Sequence, residues 1–105
     1  MTVLAEKTYT LLAKVPRGRV TTYKELAMAL GTRGYRAIGQ IVRNNPYAPR
    51  VPCHRVVASD GTIGGFMGHS RGEAIQKKIA MLASEGVHVT GKRINEFPKK
   101  LFHFT

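Results

Sequence analysis

The chain has 105 residues, of which 43% are hydrophobic, and its 17 Lys and Arg against 6 Asp and Glu give a formal net charge of +11. That length suits one domain with one modest core, and we expect a single domain over residues 1–105. The sequence has no apolar run of about 18 residues and no leader pattern, so we expect neither a membrane span nor export. We therefore expect a soluble, intracellular monomer.

Cysteine and histidine counts limit the chemistry further. Cys53 is the single cysteine, so it has no partner for an internal disulfide. The four histidines lack the close pairing of a zinc or iron site, and we expect no metal and no cofactor. The strong positive charge favours a polyanionic partner, although a merely well-solvated basic surface is the alternative.

The first predicted element is a helix. Apolar residues recur at helical spacing after Thr2, a candidate N-cap, and the pattern ends at Pro16 and Gly18. Its core-facing residues are Leu4, Leu11, Leu12 and Val15.

A second helix is predicted from the capping box Thr22-Tyr23-Lys24-Glu25, in which Thr22 caps the backbone and Glu25 reciprocates. Gly31 then ends the helix at a position that favours a left-handed residue. The residues predicted to face the core are Leu26, Ala27 and Leu30.

A third helix follows a tight glycine turn over residues 31–34. Its predicted apolar side consists of Ala37, Ile38, Ile41 and Val42. The predicted DNA-binding residues are Arg36, Gln40 and Arg43 on the opposite side, with Thr22, Arg33 and Tyr35 upstream. Two short helices across a glycine turn are typical of a helix-turn-helix, and arginines with an amide suit a DNA groove. A solvated basic face is the weaker alternative.

The sequence Asn44-Asn45-Pro46 ends the third helix, because proline lacks a backbone donor and disfavours helix before it. Residues 50–57 then place His54 directly beside Cys53. A neighbouring imidazole and cations such as Arg50 and Arg55 favour the reactive thiolate, whereas a lone cysteine is often just a small buried hydrophobe. Adjacent strand residues face opposite ways, so cooperation requires a backbone turn or a bridging water.

The next segment is predicted to form a small hairpin over residues 55–63, around the turn Ser59-Asp60-Gly61. The glycine-rich loop, residues 64–68, contains Phe66 and suits packing over a flat ligand, although it could be a plain surface loop.

A second capping box, Ser70-Arg71-Gly72-Glu73, predicts the start of a fourth helix that ends at Glu85-Gly86. Its predicted core residues are Ile75, Ile79 and Leu82. A carboxylate in the last turn opposes the helix dipole, at a cost of up to about 1 kcal/mol, which suggests that Glu85 has a function. A short hairpin around Thr90-Gly91 and an aromatic, basic tail complete the chain.

The motif Pro52-Cys53-His54-Arg55, with Val56 and Val57 after it, resembles the active-site motif of the alkylguanine-DNA alkyltransferases, the methylated-DNA-protein-cysteine methyltransferases. The resemblance extends over nearly the whole chain. It implies that family's C-terminal catalytic domain, without its usual N-terminal domain. The expected fold class is mainly α with short β hairpins, a single winged-helix-like helix-turn-helix domain.

The resemblance implies a role for each of five catalytic residues. Cys53 matches the alkyl acceptor, His54 its base, and Glu85 the carboxylate that orients the histidine. Tyr23 matches the tyrosine that protonates the leaving guanine. Asn45 matches the Asn-Pro turn that supports the cysteine loop.

The resemblance also implies that Arg36 is the arginine finger that replaces a flipped-out nucleotide. The expected substrate pocket is formed by Pro52, Val56, Phe66 and Met67. Phe66 and Met67 stand where the family often has tyrosine and serine, and the segment through Gly72 runs slightly long. Base stacking would survive this change better than hydrogen bonding would.

Three functions are consistent with these residues. The preferred one is a DNA repair methyltransferase that flips out alkylated guanine in double-stranded DNA and transfers the alkyl group irreversibly to Cys53, in the nucleoid-containing cytoplasm or the nucleus. The second is a non-enzymatic alkyltransferase-like sensor that recruits other repair factors, a class that typically has tryptophan or alanine in place of the cysteine. The third is a plain helix-turn-helix regulator, which would leave Cys53-His54, Tyr23 and Glu85 unexplained.

Overall fold

The computed structural model describes residues 2–69 and 71–104. The helices in this part of the chain are α1 (Val3–Leu12), α2 (Tyr23–Ala29), α3 (Tyr35–Arg43), α4 (Glu73–Ser84) and α5 (Phe97–Lys100). The strands are β1 (Thr21–Thr22), β2 (Val56–Val57), β3 (Val89–Thr90) and β4 (Arg93–Ile94). This confirms a mainly helical fold with small sheets. None of the described helices is long and apolar enough to cross a bilayer.

Both N-caps predicted for the first two helices are confirmed. The Thr2 hydroxyl accepts a hydrogen bond from the Ala5 amide, and the Thr22 hydroxyl accepts one from the Glu25 amide, each at 3.1 Å. In the predicted capping box the Glu25 carboxylate would also bond back to the Thr22 amide. In the structure that carboxylate instead lies 2.8 Å from His103 Nδ1 in the C-terminal tail.

The helix-turn-helix consists of α2, the turn at Gly31 and α3. Gly31 has φ +68°, the left-handed conformation that the sequence predicts at this position. Ile38 and Val42 of α3 are buried, whereas Ala37 is exposed, which corrects its predicted place in the core. Ala37 lies one residue, or about 100°, from the centre of the stripe that faces α1 and α2.

β1 pairs in parallel with β2, with Thr21 opposite Val56 and Thr22 opposite Val57. The hairpin predicted over residues 55–63 has no strand pair of its own, but its turn is closed by two hydrogen bonds of 3.0 Å, from the Gly61 amide to the Ala58 carbonyl and from the Ala58 amide to the Thr62 carbonyl. Val56 and Val57 are fully buried, and a strand buried in this way pairs inside the domain rather than with the exposed turn beside it.

The C-terminal tail covers the other edge of β1. The Val20 amide donates to the Lys100 carbonyl at 2.9 Å, and the Phe102 amide donates to the Val20 carbonyl at 2.7 Å. The Arg19 guanidinium also donates to the Leu101 carbonyl at 2.6 Å. The predicted hairpin around Thr90-Gly91 is confirmed as the antiparallel pair β3 and β4.

Helix α4 begins differently from the prediction and ends as predicted. Gly72, with φ +88°, is its N-cap and no side chain caps it, so Glu73 is the first helical residue rather than the third. Ser70 lies outside the described residues. At the other end Glu85 is the C-cap and Gly86 has φ +83°. Ile75 and Leu82 are buried, and Ile79 is partly buried.

Candidate active site

A cavity of about 350 Å³ lies between the helix-turn-helix, the cysteine and the glycine-rich loop. Its walls bring together seven residues that the sequence singled out: Tyr23, Arg36, Gln40, Arg43, Cys53, Phe66 and Met67. A basic helix face and a cysteine that are well separated in sequence therefore line one opening.

Cys53 and His54 lie in a short 3-10 turn, Cys53–Arg55, which we call the cysteine turn. The Cys53 amide donates to the Val51 carbonyl and the Arg55 amide to the Pro52 carbonyl, both at 2.9 Å. The backbone turn is one of the two arrangements that the sequence requires for these neighbours to cooperate. Both side chains are nearly inaccessible, with Cys53 5% and His54 3% exposed.

Asn45 holds the chain that leads into the cysteine turn. Its side-chain amide donates to the Val51 carbonyl at 2.7 Å, and its carbonyl oxygen accepts from the Tyr47 amide at 2.9 Å. Asn45 is buried, and its bond to Val51 is buried with it. Two hydrogen bonds from one rigid side chain fix the path of the segment immediately before Cys53.

His54 is oriented by Glu85. His54 Nε2 lies 3.0 Å from Glu85 Oε2. Because an ionised carboxylate can only accept, Nε2 carries the proton and donates, which leaves Nδ1 as the acceptor of a neutral imidazole. Nδ1 is buried and has no hydrogen-bond partner within the described residues. A buried hydrogen-bond acceptor without a partner reduces the stability of the fold. The residue that carries this acceptor directly follows Cys53 in the chain.

The charge states of this pair support proton acceptance by His54. Burial lowers the pKa of His54 below its ordinary value, although the Glu85 carboxylate opposes the shift. Burial alone would raise the pKa of Glu85, but hydrogen bonds from Arg55 and His54 outweigh it and lower that pKa. At neutral pH the site therefore holds a neutral imidazole on an ionised carboxylate.

Arg55 does not act as a free cation beside the thiol, which corrects the role predicted from its position in the sequence. Its guanidinium donates to Glu85 Oε1 at 2.9 Å and to Glu85 Oε2 at 2.8 Å, and a third bond reaches the Val15 carbonyl at 2.8 Å. Arg50 is exposed on the preceding loop. The bidentate pair fixes the carboxylate that in turn holds His54.

Tyr23, the first residue of α2, lies on the cavity wall with Cys53. Burial, followed by the negative charge of Cys53 in its thiolate form, raises the pKa of Tyr23. Its phenol therefore keeps its proton at neutral pH, and a protonated phenol can donate to a ligand in the cavity.

The predicted DNA-binding residues fall into two groups. Arg33, Tyr35, Arg36, Gln40 and Arg43 are exposed along or just before α3. Thr22 is different: it is 3% exposed, and its hydroxyl is engaged in capping α2. Burial keeps the Thr22 side chain away from solvent, so it does not belong to the exposed basic surface with which it was predicted.

Two of the four residues predicted for the substrate pocket line this cavity. Phe66 and Met67 line the cavity, whereas Pro52 and Val56 do not. Pro52 is buried behind the cysteine turn, and Val56 belongs to the core because β2 is buried. Phe66 and His69 exchange backbone hydrogen bonds of 2.8 and 2.9 Å, and Met67 and Gly68 between them both have positive φ, as in a type I′ turn.

Two residues at the site were not predicted from the sequence. His69 lines the cavity beyond Gly68, and no pattern in the loop distinguishes it. Lys78 of α4 is 0% exposed and donates hydrogen bonds to Val56, directly after the cysteine turn, and to Gly65, directly before Phe66. A signal for Lys78 did exist, because it lies three residues after Ile75 and four before Leu82, in the middle of a core-facing stripe.

Comparison with known proteins agrees with this geometry. Residues 4–87 match the model of the 6-O-methylguanine DNA methyltransferase, DNA binding domain. A methylated-DNA--protein-cysteine methyltransferase from Candida glabrata is 39% identical over 93 residues, which are 88% of this chain and 42% of that protein.

Solved structures of two kinds are similar. S. pombe Atl1, in complex with damaged DNA containing O6-carboxymethylguanine, superposes with a TM-score of 0.84 at 28% identity, covering 99% of this chain and 98% of that one. The O6-methylguanine-DNA methyltransferase of Pyrococcus kodakaraensis superposes with a TM-score of 0.70 at 44% identity, covering 83% and 48%.

The present chain spans less than half the length of the curated relatives that it matches, from 28% to 46%. The family model, however, matches well over half of this chain. The chain therefore belongs to the family of 6-O-methylguanine DNA methyltransferase DNA-binding domains.

Proposed function

We propose that this chain is a single-turnover DNA repair methyltransferase, which moves the alkyl group from the exocyclic oxygen of an alkylated guanine in duplex DNA to Cys53. The observation that carries the proposal is the cavity itself, which Cys53 shares with Tyr23 and the basic face of α3. The next residue in the chain, His54, is neutral and is held by Glu85.

Binding would begin on the exposed face of α3, where Arg33, Arg36 and Arg43 meet phosphates or base edges. The reacting oxygen lies inside the duplex, so the guanine must be flipped out, at a cost of a few kcal/mol. Arg36 is exposed and lines the cavity. We propose that its side chain fills the gap that the flipped nucleotide leaves in the duplex.

In the transfer step the Cys53 sulfur attacks the alkyl carbon while the bond from that carbon to the guanine oxygen breaks. The thiol proton passes through a bridging water to His54 Nδ1, the acceptor that has no partner in the described structure. The bonding electrons move into the guanine ring, which takes a proton from Tyr23. The products are a neutral guanine and a thioether on Cys53, and the proton gained by His54 returns through solvent to the phenolate left on Tyr23. A thioether has no good leaving group, so each molecule reacts once.

A non-enzymatic sensor of alkylated DNA is the second candidate, and one observation favours it. The similarity to S. pombe Atl1 extends over nearly all of both chains, with the higher of the two TM-scores. The presence of Cys53 in the cavity, with a base next to it in the chain, is the reason that we prefer the enzyme.

One experiment distinguishes the two candidates. The protein is incubated with duplex DNA in which the methyl group of O6-methylguanine is radiolabelled, and the protein is then separated from DNA under denaturing conditions. The enzyme proposal expects one label per molecule, located by peptide mapping on Cys53. Tight, selective binding without transferred label would support the sensor instead.

We also propose that residues 1–105 act as one catalytic and DNA-binding domain, as a monomer without a cofactor. Alkylated chromosomal DNA as the substrate would place the protein inside the cell, in the nucleoid-containing cytoplasm or the nucleus.

A further inference from the structure

Lys78 is a fully buried lysine in the middle of α4. Its exposed fraction is 0%, and its neighbours Ile75 and Leu82 on the same helix face are also buried. A methionine would fill such a position without placing a charge in the core. A buried lysine is therefore expected to have a task that an apolar residue cannot perform.

The Lys78 ammonium donates three hydrogen bonds to backbone carbonyls. The acceptors are Val56 at 2.7 Å, Ile63 at 2.6 Å and Gly65 at 2.9 Å. An ammonium has three N–H groups, so all of its donors are used. Each bond is charge-assisted and therefore stronger than a bond between neutral groups.

These three carbonyls lie on the two segments that form the site. Val56 directly follows the cysteine turn, and Gly65 lines the cavity directly before Phe66. Lys78 thus links the segment that carries Cys53 to the glycine-rich loop. Glu85, seven residues later and two turns along α4, holds His54. Helix α4 therefore supplies both Lys78, which holds the backbone of the two segments, and Glu85, which holds the His54 side chain.

The electrostatics of Lys78 depend on its surroundings. Burial lowers the pKa of Lys78 to about 7, and a thiolate at Cys53 would oppose that shift. The titratable groups that face Lys78 within the described residues are Cys53 and His54 of the cysteine turn. A neutral amine keeps only two N–H donors and turns its lone pair toward the third carbonyl, so loss of the proton would loosen the link.

We propose that Lys78 is a positioning residue, whose ammonium sets the distance between Cys53 and the glycine-rich loop, so that an alkylated base held by the loop presents its alkyl carbon to the thiol. This proposal rests on the proposed alkyl transfer. Lys78 itself touches no substrate, and it acts through the backbone of the two segments that it joins.

The test compares Lys78→Met with the wild type and with Lys77→Met, an exposed neighbour on the same helix. Transfer is measured in single-turnover experiments at saturating labelled duplex, and affinity is measured separately on undamaged duplex. Misplacement of reacting groups by about 1 Å costs on the order of 100-fold in rate. We expect that loss in Lys78→Met, with affinity for undamaged duplex within about twofold because α3 is unchanged, and we expect wild-type behaviour in Lys77→Met.

A wild-type transfer rate in folded Lys78→Met would overturn the positioning role, and so would parallel losses of rate and of affinity for undamaged duplex. If the wild type transfers no label, the proposed enzyme function fails instead. The positioning role is then decided by the preference for alkylated over undamaged duplex. Lys78→Met should lose that preference, and an unchanged preference would contradict the role.

If Lys78→Met does not fold, the wild type provides the decisive measurement. Nitrogen-15 NMR gives the midpoint at which Lys78 Nζ loses its proton and, in parallel, the titration of His54. The amides of Ile63 and Phe66, which donate to Lys92 and His69, should lose protection from hydrogen exchange at the Lys78 midpoint. Protection factors that stay constant through that midpoint would overturn the proposal.

Discussion

His54 Nε2 and Glu85 Oε2 lie 3.0 Å apart although the residues are 31 positions apart in the chain. Glu85 caps the C-terminus of α4, where the helix dipole disfavours a carboxylate, and the bidentate contact with Arg55 compensates for that position. A charged carboxylate at this place keeps the proton of His54 on Nε2 and leaves Nδ1 free to accept one.

Glu85→Gln should therefore impair transfer more than binding. The amide can still contact His54 but cannot stabilise an imidazolium, and general-base catalysis is worth about 100-fold or more. We expect a loss of that order in single-turnover rate and an unchanged affinity for undamaged duplex. Glu73→Gln, an exposed change in the first turn of the same helix, is the matched control. An undiminished transfer rate in Glu85→Gln would remove Glu85 from the mechanism.

Cys53→Ala should abolish transfer while retaining binding to alkylated DNA. The change removes a small buried side chain from the cavity, and the groups assigned to binding lie on α3 and the glycine-rich loop. A transfer assay measures the loss of activity, and a gel-shift assay on alkylated DNA measures the retained binding. Label on Cys53→Ala protein would show that another residue accepts the alkyl group.

The free energy of unfolding should decrease in acid because of His54 and Glu85. The pKa values of both His54 and Glu85 are lowered on folding from ordinary values of 6.5 and 4.5. The unfolded chain therefore binds more protons as pH falls, so the contribution is fully present above about pH 6.5 and is lost progressively below it. Each group can add at most about 1.4 kcal/mol per pH unit to the slope.

Urea unfolding of wild type and Glu85→Gln between pH 7 and pH 3 measures that slope. The variant lacks the carboxyl group, so its free energy of unfolding should fall less steeply below about pH 4.5. Identical slopes would mean that Glu85 titrates alike in the folded and unfolded chains.

Binding should weaken steeply with salt, because neutralised phosphates release counterions and the net charge is +11. The slope of log affinity against log salt counts these contacts. If Arg33, exposed just before α3, meets a phosphate, Arg33→Ala should lower the slope by about one unit. A nearly flat dependence for the wild type would exclude phosphate-dominated binding.

The helices were predicted well from the sequence, because N-cap residues and apolar spacing involve only residues close together in the chain. Thr2, Thr22 and Gly31 act where they were expected to act. Long-range pairing was not predicted, since nothing in residues 55–63 indicates that Val56 pairs in parallel with Thr21. The predicted catalytic residues Tyr23 and Cys53 meet at one cavity, and that meeting depends on packing between segments that no local pattern describes.

The residues that the sequence misplaced share one cause. Arg55 and Val56 were interpreted from their neighbours in the chain, but their side chains are engaged by Glu85 and the core, respectively. Lys78 was overlooked for the same reason, because a lysine is ordinarily taken to face solvent. Its three acceptors come from residues 13 to 22 positions away.

Arg36 provides the test of base flipping. It is exposed on α3 and lines the cavity that holds Cys53, which suits a side chain that replaces a flipped nucleotide. If it does so, Arg36→Ala should slow transfer from duplex DNA far more than transfer from free O6-alkylguanine, because the free base needs no flipping. Flipping costs a few kcal/mol, so a loss of about 100-fold on duplex is expected, with little change on the free base.

A phosphate contact at Arg36 would behave differently. It would weaken binding about equally on damaged and undamaged duplex and lower the salt slope by about one unit, as expected for Arg33→Ala. Single-turnover rates at saturating duplex separate the two roles, because saturation removes the effect of weaker binding but not that of slower flipping. Equal losses on duplex and free base would mean that Arg36→Ala disturbs the cavity itself, since only damage to the pocket around Cys53 slows a reaction that involves no DNA.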